Sequence, residues 1–370
     1  MIDLHSSRLL SDYADACAGV SNDASRCATD GLLGSVFFSG EEGSRASLGV
    51  GVPVARVPMP VLGADGSSIW ELWRANSRVR HGRHGVVQYG YADGILFGAI
   101  QLSEGHFSDV VAEVTGQPLR TPLYQAAALA YKSVFEAMKE LEFPHALRFW
   151  NYIADINGHS HGIERYRQFN CGRQEGFLQS DREVTGSVPA ASAVGFASGP
   201  LTVYFLAARD ARPVAIENPR QVSAYLYPAS YGPRSPTFSR AGLVSIGAER
   251  VLFVSGTASI VGHQTCYPGD VVAQTRETMT NIAAILTETR RVAPAAAFSL
   301  ADLRYKVYVR DENDMPRIAA ELRQHLGGDA KLLFLKADIC RQDLLVEIEA
   351  TASHALGSPD QRHSSWSLDE

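Results

Sequence analysis

Near its end the chain carries Lys331-Leu332-Leu333-Phe334-Leu335-Lys336, then Ala337-Asp338-Ile339-Cys340-Arg341-Gln342-Asp343, then Leu344-Leu345-Val346-Glu347-Ile348-Glu349-Ala350. The pattern reads as strand, tight connection, strand. Side chains alternate along a strand, so Leu344, Val346, Ile348 and Ala350 share one face and Leu345, Glu347 and Glu349 share the other. On an open face such glutamates are solvated and inert. Under a cover, a carboxyl group is desolvated, keeps its proton near neutral pH and can act as an acid. Cys340 stands seven residues before Glu347. An isolated cysteine of this kind is ordinarily a small buried hydrophobe.

Other apparent chemistry falls away. His159-Ser160-His161 and His81-Gly82-Arg83-His84 resemble metal ligands, but no carboxylate or histidine partners stand at ligand spacing, so no metal is expected. Gly49-Val50-Gly51 does not extend to GxGxxG, so no nucleotide cradle is expected. The five cysteines, Cys17, Cys27, Cys171, Cys266 and Cys340, are odd in number, scattered and without a CxxC pair. They favour a reducing, cytoplasmic setting over a disulfide framework. A net charge of −6 argues against a broad nucleic-acid grip. The first residues lack a signal pattern, and no apolar run is long enough to span a membrane.

The elements that must position these residues repeat. Val86–Tyr91 and Ile95–Ile100 flank Ala92-Asp93-Gly94 as a hairpin. Pro122–Leu141 has apolar residues at helical spacing, Leu147–Ile156 is a strand, Gly162–Phe169 a short helix, and Ala190–Ala208 one or two strands. Earlier, Val36–Phe38 and Leu48–Val54 read as short strands. The same order restarts with strands over Gly242–Ile246 and Arg250–Ser255. A helix over Asp270–Val292, a strand over Arg304–Val309 and a helix over Met315–Leu326 follow, and the 331–350 stretch closes the unit. Leu147-Arg148-Phe149-Trp150-Asn151-Tyr152-Ile153-Ala154-Asp155-Ile156-Asn157 aligns without gaps to Leu303-Arg304-Tyr305-Lys306-Val307-Tyr308-Val309-Arg310-Asp311-Glu312-Asn313, an offset of 156 residues. Arg167-Gln168 and Arg323-Gln324 match at the same offset. The expectation is an α+β protein of two tandem domains, 1–220 and 221–353, with a tail over 354–370. The first copy's terminal strand, Leu201–Ala207, contains no acid.

The second copy resembles the RidA (YjgF) family through Pro236–Ala241, Phe253–Ala258, Asp270–Thr275, Lys306–Asp311 and Val346–Ala350. That resemblance implies RidA-like (chorismate-mutase-like) domains, each a mixed β-sheet with helices on one face. Leu332 occupies the place of the carboxylate-binding arginine of deaminating members, which disfavours imine deamination. Over its whole length the chain is more similar to the chorismatases. Arg148–Asn157, Arg165–Arg173, Pro189–Gly195, Asn218–Tyr225, Tyr231–Pro236 and the 331–350 stretch carry this second resemblance. It implies cleavage of the enolpyruvyl ether of chorismate without a cofactor. It also implies Glu347 as the acid, with Glu349 supporting or exposed. A cysteine at position 340 goes with members that form 3-hydroxybenzoate.

Chorismate is a dianion, and arginine's planar fork binds carboxylates two oxygens at a time. Arg165, Arg173 and Arg234 are candidate anchors, each with an ordinary surface role as the alternative. Arg148 fits either an anchor or a strand end. Lys336 shares a strand face with Phe334 and is a candidate contact, or a solvated strand end. Tyr227 and Tyr231 offer a wall and a hydroxyl, or simple packing. In Ser255-Gly256-Thr257-Ala258, Gly256 either lets backbone N–H groups approach the substrate or only turns the chain, and Thr257 and Ala258 are expected beside it. The partner is therefore a small molecule, with no nucleic acid or membrane, and the chain a monomer or weak homo-oligomer. Hydrolysis to the dihydroxycyclohexadiene acid, a mixture with 4-hydroxybenzoate, and a non-catalytic RidA-like binder are the alternatives.

Overall fold

The computed structural model describes residues 10–15, 31–40, 47–63, 68–107 and 120–355. Cys17, Cys27 and nearly all of the expected tail lie outside them. The first five strands are β1 (Leu10–Asp15), β2 (Leu32–Phe38), β3 (Val54–Val57), β4 (Val61–Leu62) and β5 (Ile69–Arg74). Four of them form a sheet ordered β1-β5-β2-β3, while β4 pairs elsewhere. The strand expected over Leu48–Val54 starts only at Val54. Gly49 and Gly51 adopt positive φ values of 148° and 83° and turn the chain before it.

The first repeat comprises β6 (Arg80–His84), β7 (Val87–Ala92), β8 (Ile95–Leu102), α1 (Pro122–Glu140) and β9 (His145–Ala154). The short hairpin β10 (His159–Ser160) and β11 (Ile163–Glu164) follows, then α2 (Arg165–Leu178), β12 (Ala190–Phe196) and β13 (Leu201–Ala208). The second comprises β14 (Val214–Ile216), β15 (Ala241–Ile246), β16 (Glu249–Ala258), and the hairpin β17 (Ile260–Val261) and β18 (Gln264–Thr265). It continues with α3 (Val271–Val292), β19 (Arg304–Val309), α4 (Met315–Leu326), β20 (Lys331–Lys336) and β21 (Val346–Ala355). The first sheet runs β12-β9-β13-β8-β7-β6; the second, read from the matching edge, runs β20-β19-β21-β16-β15-β14, with β4 added outside β20. In each, one parallel pair, β12 with β9 and β20 with β19, sits in an otherwise antiparallel sheet. The repeat in sequence is thus a repeat of topology, and the fold is two tandem RidA-like units. The span 1–220 expected for the first domain encloses the N-terminal sheet and the first repeat's own sheet, and also β4 and β14, which belong to the second repeat's sheet.

Helix α2 runs well past the expected Phe169. Gly172 and Gly176 lie within it and serve packing. A Cβ at Gly172 would overlap the Tyr124 carbonyl oxygen, and one at Gly176 would crowd Tyr131, so both let α1 and α2 close together. No helix among the described residues is long and apolar enough to cross a membrane.

Alternation decides which face of each sheet meets what. Phe149, Ile153, Val203 and Phe205 pack among apolar residues of α1 and α2, as Val307, Ile348 and Ala350 do with α3 and α4. The opposite faces turn inward. Trp150, Tyr152 and Tyr204 meet Phe253 and Tyr308, together with Phe38 and Trp73 of the N-terminal sheet. The Tyr152 and Tyr308 hydroxyls, equivalent in the two repeats, lie 3.2 Å apart. The face of β21 that carries Glu347 and Glu349 is therefore an inner face, and both glutamates are buried.

Charge balances that burial. Glu349 receives Lys306 Nζ at 2.9 Å, Arg148 Nη2 at 3.1 Å and the Trp150 indole N–H at 2.8 Å. Lys306 also donates to Glu71 of β5 at 2.8 Å, and the Tyr204 hydroxyl donates to the same carboxyl. One connected network thus joins all three sheets. Removing one member of a buried pair strands the others, at about 3–5 kcal/mol. Lys306→Met, which leaves Glu71 and Glu349 without a shared cation, is expected to destabilise the protein by that amount in equilibrium urea unfolding.

Candidate active site

Glu347 lies on the wall of a cavity of about 440 Å³ between the two repeats. The wall takes Tyr166 and Arg167 from α2, Gly256 and Ala258 from β16, Tyr227, Phe238 and Arg240 from the segment between β14 and β15, and Cys340 and Arg341 from the connection before β21.

A bulge in β16 shapes the floor. Val254 pairs with Ala350 and Thr257 with Ile348, so Ser255 and Gly256 stand together against Glu349. The Gly256 N–H donates to Ser192 Oγ at 3.0 Å, and Arg148 and Ala191 N–H both donate to Ser255 Oγ. A Cβ at Gly256 would overlap Glu347 Oε1. The absence of a side chain there is what gives the carboxyl its place.

The two glutamates of this face have opposite electrostatics. Burial, followed by the negative charge of Glu349, pushes the Glu347 carboxyl up to about 8, against smaller pulls from Arg148 and Arg240. Burial also works against the charge of Glu349. There, Lys306 and Arg148, with hydrogen bonds from Ser192 and Lys306, outweigh it and hold the carboxyl below its ordinary range. At neutral pH Glu347 holds a proton and Glu349 does not. Cys340 Sγ lies 4.0 Å from Glu347 Oε2, and burial and that neighbour push the thiol up to about 12, so it is a neutral thiol.

Two arginines line the cavity, and the first, Arg240, also lies beside the buried Glu217 carboxyl. Arg240 is buried, binds the Val222 carbonyl at 2.7 Å and the Tyr227 hydroxyl at 2.9 Å through Nη2, and lies over the rings of Phe238 and Tyr227. Its Nε has no partner. Arg341 is held through Nη1 by the His263 carbonyl at 2.9 Å and lies 4.3 Å over the Tyr231 ring, with Nη2 unpartnered. Neither arginine stood out in the sequence. Arg341 follows Cys340 directly and Arg240 precedes β15, so the 337–345 connection and the 227–240 segment were the available signals.

Among the residues singled out from sequence, Glu347, Cys340, Tyr227, Tyr231, Gly256 and Ala258 line the cavity. Five do not. Thr257 alternates to the other side of β16 and donates to the Ser255 carbonyl. Arg165 is committed to Glu104 and to the Ala154 carbonyl. Arg173 is buried among Tyr131, Phe149 and Phe177, against which its guanidinium stacks. Arg234 is exposed on its loop. Lys336 is exposed and paired with Glu312, and its backbone N–H binds the Pro60 carbonyl. Arg148 supports Glu349 from beneath the cavity floor.

The first repeat has no counterpart of this arrangement. Tyr152 pairs with Thr202 as Tyr308 pairs with Glu347. Thr202 is fully buried and accepts from Gln101 Nε2, which also donates to the Arg56 carbonyl of β3 at 2.9 Å. The N-terminal sheet thus covers the equivalent position.

The comparisons with known proteins agree with this geometry. A family profile described as "Chorismatase FkbO/Hyg5-like, N-terminal" matches residues 71–207. A 3-hydroxybenzoate synthase of Streptomyces hygroscopicus is 38% identical over 288 residues, covering 75% of this chain and 80% of that protein. A chorismatase of Streptomyces rapamycinicus is 36% identical over 314 residues, covering 83% of this chain and 88% of its own length. A crystal structure of a chorismatase superposes with a TM-score of 0.79 at 29% identity, over 94% of this chain and 99% of that one. With that identity sustained over four-fifths or more of its relatives' lengths, the chain belongs to the chorismatase family.

Proposed function

We propose that the chain cleaves the enolpyruvyl ether of chorismate to give 3-hydroxybenzoate and pyruvate. The observation that carries this reading is a protonated carboxyl, Glu347, in a cavity lined by two arginines, Arg240 and Arg341. Arg240 and Arg341 bind the two carboxylates of the dianion, and the Phe238, Tyr227 and Tyr166 side chains exclude water around the ring.

Glu347 donates its proton to the terminal methylene of the enol ether. The adjacent carbon becomes oxocarbenium-like, and the ether oxygen becomes a leaving group. The neighbouring ring hydroxyl then displaces it, its proton returning to the Glu347 carboxylate, and forms an arene oxide while pyruvate departs with the ether oxygen. Opening of the oxide with loss of a ring proton yields the phenol. The products sum to chorismate, and no water is consumed. Attack of water on the cationic carbon would instead add one water and leave the diene diol. Cys340, a neutral thiol beside Glu347, occupies space that such a water would need. The free thiols of Cys171, Cys266 and Cys340 suit a reducing cytoplasm, and a chain with its two RidA-like units already docked needs no further subunit, which favours a monomer or loose dimer.

Incubation with chorismate is expected to release pyruvate, read by coupling to lactate dehydrogenase, and 3-hydroxybenzoate, resolved by chromatography. No pyruvate would overturn the enzyme reading; pyruvate with a non-aromatic diol would overturn the product. Arg240→Met and Arg341→Met should each raise KM by roughly 10–100-fold, the loss of one charge-assisted contact.

Because the acid form of Glu347 is the active one, kcat should fall as pH rises through about 8. Glu347→Gln should abolish pyruvate release and also stabilise the fold. The unfolded carboxyl ionises near 4.5 and the folded one near 8. Between these values the native state holds a proton that the unfolded chain has lost, so stability falls with rising pH. Glutamine removes that loss. The variant should gain roughly 1–3 kcal/mol at pH 8 and little at pH 4 in urea unfolding.

A further inference from the structure

The nine-residue connection 337–345 between β20 and β21 carries both Cys340 and Arg341. Its ends are tied down by backbone. Ala337 N–H donates to the Val309 carbonyl, and Asp338 exchanges two hydrogen bonds with Gly195 of β12. Gln274 of α3 holds its far end, donating to the Asp343 carbonyl at 2.8 Å and accepting from the Leu345 N–H at 2.7 Å, and Arg310 grips the backbone around Cys340. Arg310, directly after β19, donates from Nε to the Leu344 carbonyl at 2.8 Å and from Nη1 to Asp338 Oδ1 at 2.6 Å and Asn157 Oδ1 at 3.2 Å. Its Nη2 donates to the Ile339 carbonyl at 3.2 Å and the Arg341 carbonyl at 2.9 Å. A single nitrogen therefore brackets Cys340, gripping the carbonyls of the residues on either side of it. Through Asn157 the same guanidinium also fastens the connection to the first repeat.

The internal repeat supplies an independent control. The position equivalent to Arg310, at the offset of 156, is Ala154. There the connection from β12 to β13 is only the four residues 197–200. The repeat with a short connection lacks the clamp, and the repeat whose connection bears pocket residues has it.

We propose that Arg310 is a positioning residue: by fixing the backbone on both sides of Cys340 it holds the thiol against Glu347, and so sets how the reaction partitions between ring-hydroxyl displacement and water attack. The product half of this inference rests on the chorismate reading above; the clamp itself does not. Only the planar fork of arginine reaches all five acceptors. Lysine keeps the charge but lacks the geometry.

The test uses the full-length protein with Arg310→Lys and Arg310→Ala. Pyruvate release should stay within about tenfold of wild type, while the share of 3-hydroxybenzoate among ring products falls at least threefold in favour of the diol. Guanidinium ion added to Arg310→Ala should restore that share. A lower rate with an unchanged ratio, or a shifted ratio that guanidinium does not restore, would overturn the proposal. Asp338→Asn, which weakens one arm and keeps the arginine, should shift the ratio less and in the same direction, so failure of the alanine variant to fold leaves the idea exposed to refutation. Peptide-resolved maleimide labelling of Cys340 should quicken at least fivefold in Arg310→Lys. An unchanged labelling rate would sink the clamp whatever the substrate. Absence of pyruvate from the wild-type protein would sink only the product half.

Discussion

The molecule depends on an ion network that has been taken out of water. Glu349, Lys306, Arg148 and Glu71 sit where three sheets meet, and each is tolerated only because the others are present. Hydrophobic contact would hold three apolar faces together in many relative positions. Charges in a low-dielectric interior hold them in one, since a misplaced sheet leaves a carboxylate or ammonium unpaired. The network also differentiates two acids that the strand alternation makes equivalent. Glu349 takes both cations and stays ionised. Glu347, two residues away on the same face, is buried beside that negative charge and keeps its proton. Divergent environments acting on a pair of like groups are a general route to an acid that works at neutral pH.

Pseudo-symmetry explains why the chain has one such site. The repeats share strand order, helix placement and even the tyrosines whose hydroxyls meet between them. They differ at the ends of their last strands. Glu347 has a bulge with a glycine to make room for it, and a long connection alongside. Its counterpart Thr202 has a regular pairing with β8 and a lid provided by β3. The N-terminal sheet therefore does two things. It completes the core through Phe38 and Trp73, and it fills the cleft that symmetry would otherwise leave open.

Much of this was legible in the sequence, for identifiable reasons. The ungapped match between Leu147–Asn157 and Leu303–Asn313 exposed the tandem units, because strands packed on both faces constrain nearly every side chain. Alternation put Glu347 and Glu349 on one face. That the face was covered could be read only from the acid-free first copy and from resemblance, since burial by a distant partner leaves no local mark. The arginines that line the cavity were missed for the same reason. Arg165, Arg173 and Arg234 sit in motif-like sequence, yet their neighbours in space are Glu104, aromatic rings and solvent. Arg240 and Arg341 have plain surroundings in sequence and a cavity in space. Helix α2 outruns its expected end at Phe169, through Gly172 and Gly176, for a different cause. A glycine chosen for close helix packing is indistinguishable, in one dimension, from a glycine that ends a helix.

The partners in the central network are far apart along the chain: Arg148 and Glu349 by 201 residues, Glu71 and Lys306 by 235. At a synthesis rate of about 5–20 residues per second, Glu71 leaves the ribosome roughly 10–50 s before the lysine that neutralises it. Throughout that time the inner face of the N-terminal sheet can close on the first repeat's Trp150 and Tyr204, but its carboxyl lacks the cation that balances its burial. Birth of this protein therefore includes a waiting period. Until it ends, burying that carboxyl would desolvate a charge with no cation to offset it, so closure of all three sheets comes only with the second repeat.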